Sequence, residues 1–254
     1  MTLQEIYKAA DELAPFALSK EWIEKGAYDN SGIIVDIGGE IKKVLFALDL
    51  TKASFEAAKR AGADCIVTHH PAIYAPIRAL GQDSLILACA KSGISVLSAH
   101  LNLDAAKGGI DESLMEGLGG KSALAIMQTL QCGGYGRVYD VKAQSLEELK
   151  VHAEREFSAK RVLTYGNAPV KRIASFCGGG FDEEAIAFAL EHGADTLCSS
   201  DSKHHLITGA LESGLNILLF THYASEQYGF HRFFLRMKEA LNVPCEYFAE
   251  ERFL

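Results

Sequence analysis

One arrangement of residues occurs twice in this chain. Gly62-Ala63-Asp64-Cys65-Ile66-Val67-Thr68-His69-His70 is followed by Ser92-Gly93-Ile94-Ser95-Val96-Leu97-Ser98-Ala99-His100, with Asp104 a helical turn further on. Later, Gly193-Ala194-Asp195-Thr196-Leu197-Cys198-Ser199-Ser200-Asp201 is followed by Ser213-Gly214-Leu215-Asn216-Ile217-Leu218-Leu219-Phe220-Thr221-His222, with Glu226 at the same remove. Repetition at this level marks a duplicated supersecondary unit. Two copies facing each other would bring several strand ends, each tipped with a metal-ligating side chain, to one cleft. The expected fold class is therefore α/β, with two related βαβ-containing lobes. The first lobe is expected over 1–130 and the second over 131–254, interwoven and with no inserted extra domain.

Local patterns support that plan. Val44-Leu45-Phe46-Ala47-Leu48 is a continuous apolar run of buried-strand length, 54–61 reads as a helix closed by Gly62, and 84–91 as a second helix leading to a strand over 94–99. Strand, helix and strand of these lengths form βαβ units with parallel strands and right-handed crossovers. His69, His70 and His100 then fall just beyond the carboxyl ends of strands, where open α/β sheets bind ligands. Leu3, Ile6, Tyr7, Ala10, Leu13 and Ala14 follow the helical period up to Pro15. In the middle, Gly133, Gly134 and Gly136 predict a turn before a strand at 137–141, then a helix over 146–157 and a strand near 161–164. Cys177-Gly178-Gly179-Gly180-Phe181-Asp182 joins a strand to a helix. Lacking the Walker lysine and the G-x-G-x-x-G spacing, it reads as a tight turn with Asp182 as helix cap, not as a phosphate cradle.

Composition removes whole classes of function. With 48% apolar and 23% charged residues the chain can bury a sizeable core, which excludes disorder. A formal charge of −8 speaks against binding nucleic acid through its phosphates, which requires clustered Lys and Arg. The six cysteines show no Cys-x-x-Cys pairing and are expected as reduced, mostly buried thiols. No apolar run approaches the roughly 18 residues of a membrane span, and residues 1–30 carry no signal-like apolar stretch, so a cytoplasmic location is expected.

Adjacent histidines on extended backbone diverge, so His69 and His70 suit two neighbouring ions better than one. Asp104 and Glu226, each four residues after a histidine, would share its helix face and offer a carboxylate to the same point. Nitrogen and oxygen ligation without thiolate fits zinc, iron or manganese. A lone histidine at a strand end is ordinarily a hydrogen-bonded surface residue, and exposure is the expectation for His204 and His231. The joint placement of His69, His70, His100, Asp104, His222 and Glu226 in a duplicated unit favours a metal site.

Tyr28-Asp29-Asn30-Ser31-Gly32, Ala47-Leu48-Asp49-Leu50-Thr51, Gly62-Ala63-Asp64 with His69-His70-Pro71, Ala99-His100-Leu101-Asn102-Leu103-Asp104, Gly134-Tyr135-Gly136-Arg137, Asp201-Ser202-Lys203-His204-His205 and Thr221-His222-Tyr223-Ala224-Ser225-Glu226 occur in one order along the chain. Together they resemble the NIF-three-like family, whose members often carry the label GTP cyclohydrolase 1 type 2 homologue. The resemblance implies a dinuclear metal site in the cleft of an α/β fold, with two divalent ions held by His69, His70, Asp104, His222 and Glu226, the last as bridge. It implies a ring-like homohexamer with the metals facing an internal cavity. His100 matches a histidine beside the metals, so His100 and Glu226 are the catalytic candidates, with His100 transferring protons. Where relatives read Thr-Gly-Asp this chain reads Ser199-Ser200-Asp201, with Asp201 and His205 in register to orient ligands or substrate. The implied activity is metal-dependent hydrolysis of a small molecule, nucleotides included, by activated water. The alternative is a metal-binding, metal-delivery or protein-interaction protein without turnover. The cyclohydrolase label implies attack at C8 of a guanine nucleotide, yet no Lys and Arg cluster for a triphosphate accompanies the motifs.

Overall fold

In chain order the computed structural model, which describes residues 1–254, contains α1 (Leu3–Leu13), α2 (Phe16–Glu24), β1 (Gly32–Val35), β2 (Val44–Ala47), α3 (Lys52–Ala61), β3 (Cys65–Thr68), α4 (Leu85–Lys91), β4 (Ser95–Ser98), α5 (Leu101–Ala105) and α6 (Ile110–Gly117). There follow β5 (Ala125–Leu130), β6 (Gly133–Gln144), α7 (Leu146–Glu156), β7 (Leu163–Tyr165), β8 (Val170–Ser175), α8 (Glu183–Glu191), β9 (Thr196–Ser199), α9 (His204–Glu212), β10 (Asn216–Leu219), α10 (His222–Ala240) and β11 (Cys245–Phe248). Two compact units result, one of residues 1–106 with 230–251, the other of 107–229 with 252–254. The boundary expected at 130/131 falls inside the second unit. β5 and β6 on either side of it are paired as a hairpin, and 230–251 returns to the first unit because β11 pairs with β2.

The first unit holds a sheet of order β1-β4-β3-β2-β11, parallel except for β1. β2, β3 and β4 are buried at every position, as expected for parallel strands covered on both faces. Phe55, Ala58 and Cys89 of α3 and α4 pack with Leu45, Ile66 and Val96. Phe46 meets Phe230, Phe233 and Phe234 of α10 at ring separations of 6.5, 6.4 and 5.3 Å. A large apolar side chain buried in this way contributes about 1.5–3 kcal/mol. Thr51 caps α3, and Gly62 ends it in the left-handed region at φ 66°.

The second unit has the order β5-β6-β8-β9-β10-β7, in which β8, β9 and β10 are parallel. Its core gathers Val138, Phe176, Phe181, Leu197, Leu206 and Ile217. The duplication extends to hydrogen bonds. Asp64 Oδ2 accepts from the amides of Lys42 and Lys43 at 2.8 and 3.1 Å, and Asp195 Oδ2 from those of Lys171 and Arg172 at 2.8 and 3.0 Å. Gly193 repeats the φ of Gly62 at 66°, and β1 and β7 are the antiparallel edges beside β4 and β10. Equivalent ladder bonds, Ala99 N to Thr68 O and Phe220 N to Ser199 O, make Thr221 the counterpart of His100 in the second copy. His222 thus stands one residue beyond the strict equivalent of His100.

The glycines expected to form a turn at 133–136 lie instead within the long strand β6. A Cβ on Gly134 would come within 2.6 Å of Ile126 Cγ2, and one on Gly136 would strike the Phe176 ring. Close strand approach, not chain reversal, is what these glycines serve. The glycine turn at 178–180 was read correctly: Asp182 caps α8, accepting from Ala185 N at 2.8 Å.

No disulfide forms, and Cys65, Cys89, Cys177, Cys198 and Cys245 are buried while Cys132 is exposed. Burial raises the Cys65 and Cys198 thiols far above their ordinary range and pushes Cys89 up to about 11. A thiol-reactive chromogen at neutral pH should therefore modify Cys132 promptly in the native protein and the remainder only after denaturation. Rapid native modification of a second cysteine would contradict this packing. No helix is long and apolar enough to cross a membrane.

Candidate metal centre

In the first unit, the chain bends sharply where β3 ends. The amides of His69 and His70 both donate to Leu48 O, at 3.1 and 3.0 Å, and Thr68 Oγ1 donates to His70 O at 2.8 Å. This bend removes the divergence expected of adjacent side chains on extended backbone, and the two rings stand only 4.8 Å apart. His100, at the end of β4, joins them, and the ligand nitrogens of His69, His70 and His100 lie within 4.8 Å of one another.

Each ring is held by one nitrogen. His69, fully buried, donates from Nδ1 to Ala99 O at 2.8 Å. His70 Nδ1 lies 2.7 Å from Asp49 Oδ1, and His100 Nδ1 lies 2.8 Å from Asp29 Oδ1. An oxygen acceptor at Nδ1 places the ring proton there and leaves Nε2 with its lone pair outward, the arrangement that outer partners impose on metal-ligating histidines. Burial by itself would raise the Asp29 carboxyl, but hydrogen bonds from His100, Ser19 and Ser31 outweigh it and hold Asp29 below its ordinary value. Asp104, on α5, brings Oδ1 to 3.5 Å from His69 Nε2. Its helix is anchored by Asn102, whose amide donates to Ser19 Oγ at 3.0 Å and whose Nδ2 donates to Ala14 O at 2.7 Å.

In the second unit, α10 begins at His222 directly after β10. Thr221 Oγ1 caps it by accepting from Ala224 N at 3.1 Å. His222 Nδ1 is 2.5 Å from Asp201 Oδ2, and its Nε2 is 3.1 Å from Oε1 of the buried Glu226, one helical turn on. Asp201 takes a left-handed φ of 45°, a conformation Asp tolerates better than most residues. Gly178 runs against this pair: its amide donates to Ser225 Oγ at 3.1 Å, and a Cβ there would collide with Glu226 Oε1. His204 and His205 are exposed in the first turn of α9, and His231 is exposed on α10. Of the two expected orienting residues, Asp201 does hold a histidine.

The donor chemistry suits a cation. With Nδ1 protonated, His69 Nε2 facing Asp104 Oδ1 and His222 Nε2 facing Glu226 Oε1 are each two electron-rich acceptors at 3.5 and 3.1 Å. Such pairs repel unless a proton or a metal ion lies with them. Sequence reasoning missed Asp29 and Asp49 as the partners of His100 and His70. The acceptors stand 71 and 21 residues from their histidines, so no local spacing announces them.

Residues 1–251 match the Duf34/NIF3 (NGG1p interacting factor 3) family. This chain is a Duf34/NIF3 protein. It is 30% identical to a GTP cyclohydrolase 1 type 2 homolog of Clostridium perfringens, over 97% of this chain and 95% of that one. Among solved structures, reduced HcgD from Methanocaldococcus jannaschii is 27% identical with a TM-score of 0.81, covering 97% of each chain. A Staphylococcus aureus hypothetical protein shares the fold at a TM-score of 0.84 and 22% identity, over 98% of this chain and 96% of that one. The Duf34/NIF3 chain thus combines an α/β fold of two mixed sheets with His, Asp and Glu groups that could hold metal ions.

Proposed function

We propose that this Duf34/NIF3 protein is a dinuclear metal-dependent hydrolase acting on a small molecule. His69, His70, Asp104, His222 and Glu226 would hold two divalent ions of the zinc, iron or manganese class. The observation carrying this reading is that His69, His70, His100 and His222 all have Nδ1 tied to an oxygen, which fixes each ring with Nε2 turned away from that partner. When bound, a pair of divalent ions supplies Lewis acidity and a water acidic enough to attack near neutral pH.

The protein's own groups do the rest. Asp29 fixes the His100 ring through Nδ1, so His100 Nε2 is placed to take a proton from the nucleophile and return it to the leaving group. Asp49 and Asp201 hold His70 and His222 in one orientation. Gly178 keeps side-chain bulk away from Glu226. Subunits are proposed to assemble as a homohexamer, which analytical ultracentrifugation checks directly.

The decisive experiment measures metal content of the native protein and turnover on a panel of nucleotides, phosphoesters and cyclic amides, with Glu226→Gln alongside. The variant is expected to lose at least the ~10–100-fold in metal affinity that removal of a mere outer partner costs, and turnover with it. Stoichiometric metal without turnover on any class would favour metal binding or delivery. Absence of stoichiometric metal would end both readings.

A further inference from the structure

Residues 71–84 form neither helix nor strand, and positions 74–83 are exposed throughout. Loops of this kind in compact units are ordinarily functional. This one carries Tyr74, 54% exposed, with Ile77 and Leu80 also exposed. Tyr28, from the segment before β1, is 50% exposed and meets Tyr74 at a ring separation of 5.1 Å and an angle of 64°. The Tyr74 ring lies 6.3 Å from that of His100, at 82°.

The two tyrosines are positioned, not loose. Asn30 Nδ2 donates to Ile73 O at 2.6 Å, joining the two segments one residue from Tyr74 and two from Tyr28. Asp29, the neighbour of Tyr28, holds His100 Nδ1 at 2.8 Å. The same short stretch thus fixes both the histidine and the aromatic pair beside it. Half-exposed rings contribute little to a core, and clustered exposed apolar side chains mark interaction surfaces, ligand contacts among them. Two rings inclined at 64° offer a corner, one face and one edge, on which a flat ring can stack and make an edge contact at once.

We propose that Tyr28 and Tyr74 form the seat for a planar, unsaturated ring of the substrate, held next to His100. The proposal rests on the reading of the histidine site as catalytic and names the substrate class that site takes. Open-chain phosphoesters present no face to two aromatic walls, whereas a heteroaromatic ring stacks on either.

The test is a fluorescence titration of the metal-loaded protein with 2-aminopurine riboside, whose emission is quenched on stacking, with ribose as the control that lacks the planar base. Saturable quenching is expected, unaffected by ribose. Tyr28→Ala and Tyr74→Ala should each weaken it about tenfold, in the range that loss of one stacking partner produces. Tyr74→Phe should preserve it, and metal content should stay at the wild-type level in all three. Both rings are half exposed, so the urea midpoints of the variants should match wild type and exclude misfolding as the cause. No saturable quenching at millimolar probe, or quenching equal in both alanine variants and wild type, overturns the seat while leaving the metal reading intact. Tyrosine-dependent quenching in a protein that retains no metal supports the seat and removes the hydrolase reading instead.

Discussion

Asp111→Ala is expected to destabilise the second unit by about 3–5 kcal/mol, the usual cost of removing one partner of a buried ion pair. Asp111 is fully buried on α6, and Arg137 on β6 is 3% exposed. Asp111 Oδ2 accepts from Arg137 Nη1 and from the amide of Gly136 at 3.0 Å, while Oδ1 accepts from Cys177 N at 3.2 Å. One carboxylate therefore neutralises a guanidinium and satisfies two backbone donors, one on β6 and one just beyond β8. Alanine would leave a buried cation and two amides without that acceptor, and each unsatisfied donor costs about 1–3 kcal/mol. Urea denaturation of wild type and variant reads the difference as a shift in midpoint at constant slope. A loss below about 1 kcal/mol would mean that water reaches Arg137 freely, contrary to its burial. Removing the stranded charge as well, in Asp111→Ala with Arg137→Met, should recover part of the loss.

The second large effect is expected at Gly178. Its φ of 59° lies in the left-handed region, and alanine there costs about 1–3 kcal/mol in backbone strain alone. The new methyl would also displace the Glu226 carboxylate. Stability and metal retention should therefore fall together in Gly178→Ala. Gly179 supplies the control within the same turn: its φ is not positive, and a Cβ there meets nothing within 4 Å. Gly179→Ala should be close to neutral for both. Calorimetry and metal analysis on the pair settle the matter, and metal content equal in the two variants would show that Gly178 does not shape the Glu226 pocket.

Much of this was readable from residues alone. β2, β3, β4, β9 and β10 are short, largely apolar and buried at every position, as strands of a parallel sheet covered on both faces are. The duplicated Gly-Ala-Asp elements mark the same local geometry, since Asp64 and Asp195 tie down equivalent pairs of amides. What stayed hidden depends on distant partners. β1 and β11 are four-residue edge strands whose identity comes from pairing with β4 and β2, not from pattern. β6 hid behind its glycines, which look like a turn until the neighbouring Ile126 and Phe176 are seen to need the room. The convergence of His69 and His70 follows from two amides sharing one carbonyl at Leu48, a tertiary contact with no signature in a His-His dipeptide.

The return of 230–251 to the first unit has a consequence for birth on the ribosome. Thr51 Oγ1 donates to Glu250 Oε2 at 3.0 Å across 199 residues, and β2 waits for β11 over a similar span. Translation delivers every strand of the second sheet before it delivers the edge strand and the phenylalanines that cover Phe46. The portion made first is thus the portion finished last, and until β11 and the α10 phenylalanines emerge its β2 edge and Phe46 stay uncovered, surface of the kind that aggregates.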